Sequence, residues 1–249
     1  NTCAVVIQVT DGANTDTITV TVNVQDVNEF SPVFGDGDTA TATPNENQQA
    51  VGTYAATDAD GSATQTYSIL TAEQNAASVD HDLFSVAGGG VLTFQASPNY
   101  EDAGCGAGNN ANTCAVVIQV TDGANTDTIT VTVNVQDVNE AAPVFTAGET
   151  GTSTPNEGTT AAGTFAATDT DGTATQTYSI LTAAQNAASV DHDLFSVGAG
   201  GVLAFSSAPD FETPGCGAGD NSNTCAVVIQ VTDGANTDTI TVTVNVQDV

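Results

Sequence analysis

Asp58-Ala59-Asp60 and Asp169-Thr170-Asp171 each set two carboxylates one residue apart, and further acidic or amide motifs recur in step with them. Asn45-Glu46 is matched by Asn156-Glu157, and Asn99-Tyr100-Glu101 by Asp210-Phe211-Glu212. Thr121-Asp122-Gly123 is matched by Thr232-Asp233-Gly234 and by Thr10-Asp11-Gly12. Asp26-Val27-Asn28-Glu29 is matched by Asp137-Val138-Asn139-Glu140. Almost every side chain that recurs here is a hard oxygen donor. What such donors do together is bind a hard cation, because calcium takes about six to eight carboxylate and carbonyl oxygens. Singly, each acid is equally well explained as a solvated turn or cap residue. No nucleophile–base pair recurs with them, so a non-enzymatic role is expected.

The charge balance points the same way. The chain carries 30 Asp and Glu and no Lys or Arg, for a net charge of −30. Without basic side chains, clustered carboxylates are offset only by metal ions, protons or diffuse counter-ions. Part of this charge also reads simply as a solubilising surface. Nucleic-acid binding needs cationic groups to neutralise phosphates, and none exist. Direct contact with an anionic membrane surface is excluded on the same ground. No apolar run approaches the roughly 18 residues of a membrane span.

The elements that must position these acids are strands. Residues 1–27 recur unchanged at 112–138 and 223–249, a period of 111 residues. That period suits a sandwich domain rather than a solenoid unit. The reading is three segments: 1–28, the closing hairpin of a truncated repeat, then full repeats at 29–139 and 140–249. An isolated two-stranded hairpin is marginal in water, so the expected completion of 1–28 is the front of another repeat, and the sequence reads as a window on a longer array. Within a repeat, Ile129, Val131, Val133 and Val135 alternate with Thr128, Thr130, Thr132 and Asn134, the period of a half-buried strand. Residues 114–120 alternate as well, blurred by Val117. Asp122-Gly123-Ala124-Asn125 supplies the turn between the two. Shorter strands are predicted at 50–56, 65–70, 83–86 and 91–94, with a helical turn conceivable at 71–78. The outward threonines read as ordinary exposed strand residues. His81 and His192 read as surface-loop imidazoles rather than metal ligands.

Five cysteines complete the inventory. Cys105 and Cys114 lie nine apart, as do Cys216 and Cys225, and each pair reads as a local disulfide, with free or metal-bound thiols as the alternative. Two thiolates without a second pair make a poor zinc site. Disulfides imply an oxidising, extracellular compartment. Cys3 occupies the phase of Cys114 and Cys225, and its partner would precede the sequence.

In order, Ala56-Thr57-Asp58-Ala59-Asp60, Tyr67-Ser68-Ile69, Tyr100-Glu101, Gln119-Val120-Thr121-Asp122-Gly123 and an Asp-x-Asn-Glu linker before Pro-Val-Phe resemble the cadherin repeat in its bacterial form. The resemblance covers the whole chain. It implies an all-β fold, tandem Greek-key sandwich domains of cadherin or immunoglobulin-like type in an extended rod, with calcium ions between successive repeats. Carried over, one complete ligand set is Glu46, Asn99 and Glu101, the linker Asp137, Asn139 and Glu140, and then Asp169, Asp171 and Asp233. An earlier set keeps Asp26, Asn28, Glu29, Asp58, Asp60 and Asp122. Glu157, Asp210, Glu212 and Asp248 would begin another. Asn99 departs from the family's Asp, and Glu29 and Glu140 from its second linker Asp. The implied function is a calcium-rigidified extracellular rod, adhesin stalk or filament at a bacterial cell surface. Its expected partners are calcium, neighbouring repeats, and identical chains in a fibre or a cell-surface molecule. The alternative is a specific glycan- or cell-binding adhesion module.

Overall fold

The computed structural model describes residues 1–61, 64–106, 111–172, 175–217 and 222–249. Two compact units emerge, Asn1–Gln136 and Asp137–Val249. The linker residues Asp137, Asn139 and Glu140 therefore fall in the second.

In the first unit the strands are β1 (Thr2–Thr10), β2 (Thr15–Asn23), β3 (Val33–Phe34), β4 (Thr39–Ala42), β5 (Ala50–Thr53), β6 (Ala56–Thr57), β7 (Thr66–Ile69), β8 (Phe84–Ala87), β9 (Val91–Phe94), β10 (Thr113–Thr121) and β11 (Thr126–Asn134). One sheet runs β4-β11-β10-β7, a second β5-β9-β8, and β3 pairs with β6. β4 lies parallel to β11, while β10 is antiparallel to both β11 and β7. This is an all-β sandwich, built as the alternation requires. Val116, Ile118, Val120, Ile129, Val131 and Val133 are fully buried, and Phe34, Phe84, Leu92 and Phe94 pack with them in one core.

The second unit repeats the plan with β12 (Val144–Phe145), β13 (Thr150–Ser153), β14 (Ala161–Thr164), β15 (Ala167–Thr168), β16 (Thr177–Leu181), β17 (Phe195–Val197), β18 (Val202–Phe205), β19 (Thr224–Thr232) and β20 (Thr237–Asn245). Its sheets are β13-β20-β19-β16 and β14-β18-β17, with β12 against β15.

Val117, which blurs the sequence alternation, is fully buried on the outward face of β10. The segment after β7 covers it: the Val117 amide donates to Ser78 Oγ at 3.0 Å, and the Leu70 amide donates to the Val117 carbonyl. That segment makes single turns, with the Thr71 carbonyl accepting from Gln74 and Asn75. The 3-10 turn comes later, at His81–Leu83. His81 sits in it half-buried, with Nδ1 2.9 Å from the Ser78 carbonyl.

The hairpin β1–β2 has the same register as β10–β11, from Thr2 opposite Asn23 to Thr10 opposite Thr15. Its apolar face is open: Val5, Ile7 and Val9 are 50%, 53% and 66% exposed, where Val116, Ile118 and Val120 are at 0%. The 27 residues specify the hairpin locally, and burial of its face comes from the other strands of a repeat.

Candidate metal centre

Each unit assembles its acidic motifs at two places. The first set gathers around the turn between the last two strands. In the second unit the Asp233 carboxylate accepts from the amides of Ala235 at 2.7 Å and Asn236 at 2.6 Å. Asn236 Nδ2 then donates to the Ala141 carbonyl at 2.8 Å, tying the linker to the turn. The Ala141 amide donates to Asp171 Oδ2 at 2.6 Å, and the Asp171 amide to Asp169 Oδ1 at 3.1 Å. Asn139 Nδ2 reaches the Asp233 carbonyl at 3.5 Å. Asn139, Asp169, Asp171 and Asp233 are therefore brought together by hydrogen bonds between their side chains and the backbone. Asp171 is only 2% exposed.

The first unit repeats this construction. Asp122 accepts from Ala124 and Asn125, Asn125 Nδ2 donates to the Phe30 carbonyl, the Phe30 amide to Asp60 Oδ2, and the Asp60 amide to Asp58 Oδ1. Asn28 Nδ2 lies 3.4 Å from the Asp122 carbonyl. In both units one oxygen of the leading aspartate, Asp58 Oδ2 and Asp169 Oδ2, is buried without a hydrogen-bond partner. A buried carboxylate oxygen costs free energy unless something offsets it, and this chain has no Lys or Arg to do so. A calcium ion fits that requirement and the donor set.

The second set lies where β4, or β13, meets the end of the closing strand. Glu46 is 2% exposed. Its amide donates to the Gln136 carbonyl, and its Oε2 accepts the Tyr100 amide at 2.7 Å. Oxygens of Glu46 and Glu101 lie within 4.8 Å of one another, as do those of Glu157, Asp210 and Glu212. Calcium–oxygen distances run about 2.3–2.6 Å, so oxygens that far apart both lie within reach of one ion. Glu157 Oε2 accepts the Phe211 amide at 2.8 Å. Asn99 Oδ1 caps its own turn by accepting the Asp102 amide, as Asp210 Oδ1 does for Thr213. Asp26, Glu29, Glu140 and Asp248 have exposed side chains, and Asp137 is half-buried.

Asn125 lies in the turn that the sequence predicts, and Asn236 is its equivalent in the second unit. Their amides in fact anchor the linker. The Asp127 and Asp238 carboxylates accept the amides of Phe34 and Phe145 at 3.0 Å. The fixed distance from each preceding Asp-Gly turn is the signal that could have found them.

The Asn125 amide, with that of Ala124, holds the Asp122 carboxyl below its ordinary 3.8 against an opposing effect of burial, and the Asn236 amide does the same for Asp233. A depressed pKa in the folded chain contributes stability that is present above the ordinary value and is lost as pH falls through the depressed one. In chelator, the thermal midpoint is therefore expected to hold from pH 6 to about 4 and to fall below that. Asp122→Asn with Asp233→Asn should flatten the fall. An identical acid limb in that variant, read by circular dichroism, would refute the assignment.

Cys105–Cys114 and Cys216–Cys225 form disulfides, with Cα atoms 4.7 and 4.8 Å apart. Among the described residues, no helix is long and apolar enough to cross a membrane.

No protein-family model matches the chain, and no curated protein sequence does. Solved structures do. The chain is similar to extracellular cadherin domains 3–6 of protocadherin gamma B2, with a TM-score of 0.65 and 19% identity over 94% of this chain and 57% of that one. It is similar to the EC1–4 fragment of Drosophila N-cadherin, with a TM-score of 0.62 and 16% identity over 94% of this chain and 52% of that one. The EC22–24 fragment of mouse cadherin-23 matches with a TM-score of 0.56 and 17% identity, over 100% of this chain and 74% of that one. The chain thus spans little more than half of the first two fragments. The fold is that of cadherin extracellular domains.

Proposed function

We propose that this chain is part of a calcium-rigidified extracellular repeat array, a structural or adhesive rod at a bacterial cell surface rather than an enzyme. The observation that carries this reading is the pair of buried, partnerless oxygens, Asp58 Oδ2 and Asp169 Oδ2, at the same position in both units. Calcium would be held by the linker and aspartate set, Asp137, Asn139, Glu140, Asp169, Asp171 and Asp233, while Glu46, Asn99 and Glu101 form a separate set of oxygen donors. The first unit offers Asp26, Asn28, Glu29, Asp58, Asp60 and Asp122 in the same way. Glu157, Asp210 and Glu212 would serve a following repeat. The cadherin-like fold supports this reading. The two disulfides support an oxidising location.

Isothermal titration of the full chain with calcium tests the reading. Saturable binding is expected, and Asp58→Ala, Asp60→Ala, Asp169→Ala and Asp171→Ala together should weaken it by roughly tenfold or more, since charge count sets the affinity of calcium sites. Equal affinity in that variant, or no saturable binding by the native chain up to 10 mM calcium (about ten times the weak limit for extracellular modules), would overturn it.

A further inference from the structure

The acids Asp210 and Glu212, and their counterparts Asn99 and Glu101, do not lie on strands. They sit on the long connection from β18 to β19, or from β9 to β10. Hydrogen bonds on both sides of the acids locate this connection, among them those of the Gly158 amide to the Pro209 carbonyl and the Asn47 amide to the Pro98 carbonyl, both at 2.9 Å. Glu157 Oε2 accepts the Phe211 amide at 2.8 Å, and Asn223 Nδ2 donates to the Phe211 carbonyl at 3.0 Å. The first unit has the same clamp, from Glu46 to the Tyr100 amide and from Asn112 Nδ2 to the Tyr100 carbonyl at 2.9 Å. The residue between the two acids is thus gripped on both sides of its own peptide groups.

Four residues beyond Glu212 comes Cys216, bonded to Cys225 at the start of β19. Cys216 is 4% exposed and Cys225 is fully buried. The Cys216 amide and carbonyl exchange hydrogen bonds with Ser222. The buried Asp191 accepts the Gly217 amide with one oxygen and the Ala226 amide with the other, both at 2.8 Å. Asp80 does the same for Gly106 and Ala115 in the first unit. Asn223, the clamp on Phe211, is two residues from Cys225. The cystine therefore fixes both the end of the acidic segment and the base of the asparagine that holds it.

We infer that the cystine of each repeat, with Asn112 or Asn223, positions the outgoing carboxylates of the calcium site, so that calcium affinity depends on the disulfide being formed. This rests on the calcium reading above. Without the cystine, the segment that carries the two acids is held by hydrogen bonds alone, among them those of Phe211 to Glu157 and Asn223 and those of Cys216 to Ser222. Longer closed loops cost more conformational entropy to order, and binding must then supply the ordering that the cystine otherwise supplies in advance. The expected loss is about tenfold in calcium affinity.

The test uses the full chain with Cys3→Ser throughout, so that no odd thiol remains. Calcium affinity is measured calorimetrically for this chain, for one also carrying Cys105→Ala, Cys114→Ala, Cys216→Ala and Cys225→Ala, and for one with both disulfides but Asn112→Ala and Asn223→Ala. The asparagine variant keeps the test decisive if the cysteine variant does not fold. An Ile240→Val chain, altered in the buried core, controls for lost stability alone. Terbium luminescence decay in H2O and D2O counts coordinated water. Both positioning variants should bind calcium several-fold to tenfold more weakly and gain bound water, while Ile240→Val keeps native affinity. Native affinity and hydration in a folded cysteine or asparagine variant would overturn the inference and leave the calcium reading standing. Equal weakening in Ile240→Val would reduce the effect to stability and overturn it too. No binding by the disulfide-bonded chain would overturn both.

Discussion

Stripping calcium from the chain with excess chelator is expected to lower its thermal midpoint by about 10 °C and to open the linkers to protease. A ligand that binds only the folded state at one hundred times its dissociation constant stabilises that state by about 2.7 kcal/mol. For a domain of this size, about 1 kcal/mol corresponds to roughly 4 °C. The physical origin is in the two acidic sets. Without a cation, oxygens of Glu157, Asp210 and Glu212 remain within 4.8 Å of one another, and Asp169 Oδ2 remains buried without a partner. No Lys or Arg can take the ion's place, because the sequence has none. The effect should be reversed by calcium and far less by equal ionic strength of sodium chloride, since diffuse screening does not coordinate. Scanning calorimetry and limited proteolysis read it. An unchanged midpoint with unchanged cleavage in chelator would end the calcium account of this protein.

Gly201→Ala should destabilise the second unit by about 3 kcal/mol or more, since overpacking and a left-handed backbone both count against it. Gly201 has φ +74°, and a Cβ there would stand 1.9 Å from the Phe165 carbonyl oxygen. That oxygen belongs to backbone held in place, because the Phe165 amide donates to the Gly201 carbonyl at 2.8 Å. The neighbour Gly200 provides the comparison. It has φ +71°, but its Cβ would meet nothing within 4 Å, so Gly200→Ala should cost only about 1 kcal/mol from backbone strain. The first unit offers the same pair, with Gly90 blocked at 1.8 Å by the Tyr54 carbonyl and Gly89 open. Urea unfolding of the four variants measures both gaps. Equal costs at the open and blocked glycines would show that the close approach does not exist in solution.

How far these features could be read from the sequence depended on their range. The Asp-Gly-Ala-Asn turn is local, and Asp11, Asp122 and Asp233 each accept two amides of their own turn. It forms alike in all three copies, even where the strands are exposed. The strict alternation of β11 likewise announced its own buried face. β4 was not legible, because Thr39–Ala42 is a run of small residues whose strand character comes from pairing in parallel with β11. Val117 looked like an irregularity because the cover over it arrives from residue 78. At the candidate site, the acid types and their order were visible. The grip of Glu46 on the Tyr100 amide was not, since it joins residues 54 apart.

The hairpins β10–β11 and β19–β20 share one sequence and one register, residue for residue. They are interchangeable parts. During folding, either can close either sandwich with the same core contacts, and the energy landscape does not distinguish the correct partner from the exchanged one. Only chain connectivity and order of emergence do so. Hairpin exchange is a failure open to repeat proteins in general, and here it carries no penalty in packing. A chain refolded from denaturant at high concentration is therefore at risk of cross-linked, swapped assemblies that a vectorially synthesised chain avoids.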